Sequence, residues 1–170
     1  MLKTLIGNKK INKGISIVEI LVAITIISIV FIALFGVATF YLKVSFLTKK
    51  TVQASRLIEE SIEVVKNFRD GTDWDTNGIG ILDTGDSNPY YPELDNGTNP
   101  PHWILTEGVE TINNFTREIV FENVSRDLAN NIEDVYDISR DDPNTKKLIV
   151  TVSWDDKDIE VITYITNWRN

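Results

Sequence analysis

Residues 9 to 30 read KKINKGISIVEILVAITIISIV. Beyond Gly14 this stretch is apolar apart from a few hydroxyls and one carboxylate, Glu19. The run continues, and the 19 residues from Ile20 to Ala38 carry only Thr25 and Ser28 as polar interruptions. A secretory signal peptide has a shorter apolar core, about 7 to 15 residues, followed by a small-residue cleavage site. A bilayer-crossing helix needs about 20 residues at about 1.5 Å each, and this run meets that length. Both hydroxyls can bond a carbonyl one turn earlier in a helix, which removes most of their desolvation penalty. The stretch therefore predicts a single membrane-spanning helix. Lys3, Lys9, Lys10 and Lys13 precede Gly14, with no acidic residue among them. That asymmetry predicts a cytoplasmic N-terminus and a chain that crosses to the outside.

Composition narrows the remaining classes. The 170 residues have a mean hydropathy of −0.08, an average that hides two unlike regions. From Ile15 to Leu42 Glu19 is the one charged residue, whereas the chain from Lys43 onward is polar and acidic. Removing the four early lysines from the 17 basic residues leaves 13 against 25 acidic ones, a net charge of about −12. Such a field repels nucleic acid and anionic lipid. The chain has no cysteine and one histidine, His102, which excludes disulfides, thiolate metal sites and multi-histidine zinc sites.

Glu19 is what a bland anchor leaves unexplained. Ionisable residues in membrane segments are costly and usually have a partner or a role. The plain alternative is a hydrated carboxylate at headgroup level. The surrounding residues favour a role. Lys13-Gly14-Ile15-Ser16-Ile17-Val18-Glu19, run directly into ILVAITIISIVFIALFGVA, resembles the N-terminal processing signal of the type IV pilins and type II secretion pseudopilins. That signal is a basic leader ending in glycine, an apolar residue, three more residues, glutamate, and a long apolar helix. Isoleucine stands after the glycine, where phenylalanine is commonest in the family.

The resemblance implies a set of roles. A membrane-embedded prepilin peptidase cuts between Gly14 and Ile15 and methylates the new Ile15 amine. Glu19 of an incoming subunit pairs with a neighbour's terminal amine inside a helical bundle. Such a buried pair sets axial register more than it adds net stability. The implied partners are the peptidase, other pilin subunits, the inner-membrane assembly platform and the lipid bilayer, with no nucleic acid expected. The implied location is the bacterial cytoplasmic membrane, then a surface pilus or periplasmic pseudopilus. The expected divisions are a leader over 1–14, a long helix over 15–69 with its membrane and assembly part at about 15–42, and an extracytoplasmic head over 70–170.

The helical pattern continues past Leu42, with Leu47, Ala54, Ile58, Ile62 and Val65 on one stripe between charged neighbours. Gly71 is the expected stop. Gly36, the one glycine inside the helix, is expected to weaken it mildly where family members often carry proline. Residues 70–102 are rich in Gly, Asp, Asn, Thr and Pro and read as a long loop. Within it Asp73, Asp75, Asn77 and Gly78 match the first half of a calcium loop, but Thr84 stands where its bidentate glutamate belongs. Ordinary turn chemistry explains the same residues. Tyr90 and Tyr91, between prolines, are expected to cover a sheet edge.

Beyond the loop, HWILTEG, NFTREIVFENV, KKLIVTVSW and IEVITYITNW read as four strands, the last two joined as a hairpin through Asp155–Asp158. The fold class expected is α+β: a long N-terminal helix on a C-terminal antiparallel sheet, as in pilins. Asn-x-Ser/Thr sequons begin at Asn96, Asn114 and Asn123 and are read as chance. No nucleophile motif accompanies His102, and Asp141-Asp142 and Asp155-Asp156 read as solvated turn charges. We therefore expect no enzyme, cofactor or metal. The expected function is a minor pilin or pseudopilin. The competing readings are a tip adhesin or DNA-uptake subunit using the 70–102 loop, and an unrelated single-pass membrane protein.

Overall fold

A computed structural model describes Gly14 and residues 16–169. The chain divides into two compact units, Met1–Thr48 and Lys49–Asn170, and one helix contributes to both. That helix, α1, runs from Ile17 to Gly71, 55 residues. Ser16 starts it: its carbonyl accepts from the amides of Glu19 and Ile20, and its Oγ accepts from the Val18 amide at 3.3 Å. At the other end the Thr72 amide and hydroxyl both donate to the Phe68 carbonyl, at 3.0 and 2.6 Å. The ends agree with the sequence expectation to within the usual fraying.

In the second unit α1 buries Ala54, Ile58, Ser61, Val64 and Val65. The expected stripe is thus shifted slightly. Ile62 is half-buried and Leu47 is exposed, while Ser61 and Val64 lie inside. Ser61 is tolerated there because its hydroxyl donates to the Leu57 carbonyl at 2.7 Å and leaves no orphaned polar atom.

This face packs on an antiparallel sheet of six strands: β1 Tyr90–Asp95, β2 His102–Glu107, β3 Glu110–Ile112, β4 Phe115–Ser125, β5 Asp141–Trp154 and β6 Lys157–Thr166. The order is β2-β1-β4-β5-β6, with β3 pairing beside β1 on β4. Period-two alternation turns Phe115, Ile119 and Phe121 of β4, and Leu148, Val150, Val152 and Trp154 of β5, into one core with Ala54, Ile58 and Val65. Each fully buried aliphatic or aromatic side chain contributes about 1.5–3 kcal/mol. Phe115 and Trp154 meet at 5.7 Å between ring centres, Tyr90 and Phe121 edge-on at 5.9 Å.

The sheet is larger than the four strands expected, for local reasons. β1 lies inside the segment read as loop, because Pro92 and the surrounding Asn, Gly and Pro mask its pattern. Tyr90 accordingly is core rather than an edge cover, and Tyr91 is half-buried. β3 has only three residues, and Asn113 and Asn114 at φ 48° and 70° supply the tight turn into β4. β5 begins at Asp141, earlier than KKLIVTVSW suggests, and the register shifts between Asn123 and Ser125. The β5–β6 turn is confined to Asp155 and Asp156, since Trp154 already pairs with Lys157. The rest of 70–102 is built around Trp74 and a 3₁₀ turn at Ile79–Ile81. Gly80 sits so close to Trp74 that an added Cβ would lie 2.5 Å from the indole ring.

Candidate assembly segment

The residues singled out in the opening stretch fall in the first unit. Gly14 is exposed ahead of α1, and a Cβ built on it meets nothing within 4 Å. Nothing among the described residues therefore requires glycine there. Ile15, the expected cleavage and methylation residue, lies outside the described residues. Glu19 is exposed in the first turn of α1. A carboxylate there complements the positive end of the helix dipole, an effect of about 0.3–1 kcal/mol that needs no partner chain.

From Ser16 to Lys49 every described side chain is exposed, including Ile17, Leu21, Phe31, Phe35, Phe40 and Phe46. This is the one helix among the described residues long and apolar enough to cross a membrane. Its polar atoms are silenced locally. Thr25 donates to the Leu21 carbonyl at 2.8 Å and Ser28 to Ile24 at 2.7 Å, as the spacing predicts. Thr39 donates to the carbonyls of Phe35 and Gly36 at 3.0 and 2.9 Å. α1 continues without interruption through Gly36, where glycine was expected to loosen it. A glycine still allows every helical hydrogen bond, unlike a proline.

The other candidates lie in the second unit. Asp73 Oδ1 accepts from the amides of Asp75 and Thr76, both at 3.1 Å, and from the Thr76 hydroxyl at 2.9 Å. Asn77 Oδ1 accepts from the Asp73 amide at 2.8 Å. Asp73 and Asn77 thus close a turn. These bonds, the Thr76 hydroxyl foremost, hold the Asp73 carboxyl below its ordinary range. His102 Nδ1 lies 2.7 Å from the Thr98 hydroxyl on an exposed turn. Asp141 accepts from the Tyr136 hydroxyl at 3.0 Å, Asp142 pairs with Arg126 at 2.6 Å, and Asp155 with Lys50 at 2.5 Å. Among the sequons, Asn114 occupies the β3–β4 turn and Asn123 lies within β4.

One polar cluster escaped the sequence reading. Arg117 points inward from β4 and is only 2% exposed. Its Nε donates to Glu110 Oε2 on β3 at 3.1 Å, and its Nη2 reaches the same oxygen. Its Nη1 lies 3.5 Å from Glu60 on α1 and has no hydrogen-bond partner. The signal was available: Phe115, Arg117, Ile119 and Phe121 share one strand face, so Arg117 occupies an inward position.

Comparison with known proteins picks out the same N-terminal stretch. The family model for the prokaryotic N-terminal methylation motif matches residues 9–35. No curated protein and no solved structure matches the chain.

Proposed function

We propose that this chain, which carries the N-terminal signal of the type IV pilins and pseudopilins, is the precursor of a minor pilin or pseudopilin. The methylation motif and the apolar helix support a membrane-anchored, pilin-like precursor, a structural subunit in kind. In the finer reading, prepilin peptidase cuts between Gly14 and Ile15 and the Ile15 amine is methylated. The lysines keep the leader cytoplasmic while residues 70–170 stay outside, and α1 then enters a helical bundle where Glu19 meets a neighbour's amine.

The observation that carries this reading is the exposed apolar surface from Ile17 to Leu47, which contains one carboxylate. No other part of the described chain covers it, so lipid and then neighbouring helices are its solvents. Two further facts support the reading. Glycine at position 14 answers no packing need within the described residues, as expected if its backbone is shaped for a protease cleft. Glu19 sits at the start of the apolar run, where it reaches the membrane interface before assembly and a partner after it.

Intact-mass and N-terminal peptide analysis of the chain recovered from its native membrane tests this directly. The expected product begins at methylated Ile15. An intact leader on protein found in assembled filaments refutes it.

A further inference from the structure

The far end of the β4–β5 ladder buries an amine that the assembly reading does not use. Lys146 follows the inward alternation of Leu148, Val150 and Val152 and is only 8% exposed. In register it stands between Asn123 of β4 and Ile165 of β6. Its Nζ donates to Asn123 Oδ1 at 2.6 Å, so the buried nitrogen meets an amide and not a carboxylate. A buried cation without an adjoining opposite charge is costly. Burial accordingly lowers the Lys146 pKa below lysine's ordinary value, against the opposing field of Asp141. The neutral amine that this favours is a nucleophile.

The same hydrogen bond sets the amine against an acyl carbon. With a C=O bond of about 1.23 Å, Nζ lies no more than about 3.8 Å from Asn123 Cγ. A near-attack pair stands at roughly 3–3.5 Å, and holding both groups on neighbouring strands makes their meeting unimolecular. Asn123 also lines a recess of about 210 Å³ with Tyr136, Lys147 and Tyr164, which gives a small leaving group a way out. The Tyr136 hydroxyl donates to Asp141 Oδ1 at 3.0 Å. That pair can accept one proton and return another beside the amide.

We propose that Lys146 and Asn123 form an isopeptide bond within one chain, tying β4 to β5. The Nζ lone pair attacks Asn123 Cγ, and the Nζ–Cγ bond forms. One proton leaves Nζ and one reaches Nδ2 by way of Tyr136 and Asp141. The Cγ–Nδ2 bond then breaks and ammonia departs. Nothing is oxidised or reduced, and the amide lost from Asn123 is replaced by the one gained with Lys146. The bond falls where the β4–β5 register shifts, between Asn123 and Ser125, beside the excursion of residues 126–140. It closes that excursion into a covalent ring, so the irregular end of the ladder cannot peel open. The inference stands independently of the assembly reading.

Peptide mapping of the wild-type full-length chain, recovered folded from its native membrane, denatured and cut with trypsin, tests this. The expected product is Glu118–Arg126 joined through Asn123 to Lys146 of Asp141–Lys147, lighter by one ammonia than the two peptides free. Lys146→Arg and Asn123→Ala should each abolish the joined product. Tyr136→Phe, at an exposed position, should slow its accumulation after synthesis several-fold, and an unchanged rate overturns the proton relay. Wild-type protein that yields the two peptides unjoined overturns the bond. Loss of ammonia from Asn123 without linkage to Lys146 overturns it as well, because that is deamidation alone.

Discussion

The Glu60–Arg117–Glu110 cluster gives the sharpest energetic prediction. Arg117 is 2% exposed, so its charge depends on the two carboxylates rather than on water. Removing one partner of a fully buried pair destabilises by about 3–5 kcal/mol, because a desolvated charge is stranded. Glu110 is 29% exposed and partly screened, which lowers the expected loss for Glu110→Ala to about 2–3 kcal/mol. Glu60 is 46% exposed, 3.5 Å from Nη1 and not hydrogen-bonded to it, so Glu60→Ala falls in the surface range, about 0–1 kcal/mol. Replacing the whole pair, Arg117→Met with Glu110→Ala, restores much of the loss, since it removes the stranded charge and keeps apolar volume. Urea unfolding of the full chain in detergent, followed by the fluorescence of buried Trp74 and Trp154, measures all three variants. The ordering is the test. If Glu110→Ala and Glu60→Ala differ by less than about 0.5 kcal/mol, burial does not set the strength of these pairs and the reasoning is wrong.

Three more outcomes follow from the geometry. Gly80→Ala places a methyl 2.5 Å from the Trp74 ring and 2.6 Å from its carbonyl oxygen, so we expect a loss of about 1–3 kcal/mol and altered Trp74 emission. An unchanged urea midpoint contradicts it. Acid should unfold the head through its paired aspartates. Thr76 foremost for Asp73, and Asn131 foremost for Asp127, hold those carboxyls below the ordinary value. Burial pushes Asp142 up, but its bonds to Arg126, Thr145 and Asn144 outweigh it and leave it lowered too. Because the folded values lie below the unfolded ones, this stability is fully present above about pH 4 and is lost as pH falls through the folded values. Asp142→Asn should flatten the decline of the urea midpoint at low pH, and an identical pH profile argues against the Arg126 pair. Finally, Glu19→Gln should leave membrane insertion and leader removal intact but depress filament yield. Normal yield means that the carboxylate only serves the helix terminus.

The sequence carried some of this plainly and hid the rest for physical reasons. β4 and β5 were legible because one face is buried along their length, and burial on one face enforces alternation in Phe115–Phe121 and Leu148–Trp154; β6 alternates more weakly, with one face half-buried and only Ile165 fully inside. β1 was not, because Pro92 and flanking turn residues obey its local geometry rather than its packing. The C-terminal end of the helix was legible from Gly71, while the position of the buried stripe was only nearly so. Ser61 shows why: its polarity is cancelled by its own helix, which hydropathy cannot register. Arg117 was hidden by the same kind of compensation, supplied this time by β3 and α1. Of the candidate assembly segment, the pattern was entirely in the sequence, since it depends on residue order and an exposed helix adds no tertiary signal.

α1 itself shows why the two units obey different rules. Past Ala54 the helix is amphipathic and its inner face is covered by this chain's own sheet, so its stability there is intramolecular. Before Thr48 the described helix buries nothing, yet it carries Phe31, Phe35, Phe40 and Phe46, all exposed. Isolated helices draw little stability from propensity alone, and Ile, Val, Thr and Phe are middling helix formers. Water would therefore be a poor solvent for this half on two counts: its backbone would gain little and its side chains would be hydrated. In lipid both objections vanish, because unsatisfied amides there are more costly than any side-chain preference and enforce the helix. The same argument assigns the polar atoms. Thr25, Ser28 and Thr39 are acceptable in lipid because each bonds its own helix. Glu19 has no comparable side-chain bond to its own helix among the described residues; within the chain it has the positive end of that helix to complement.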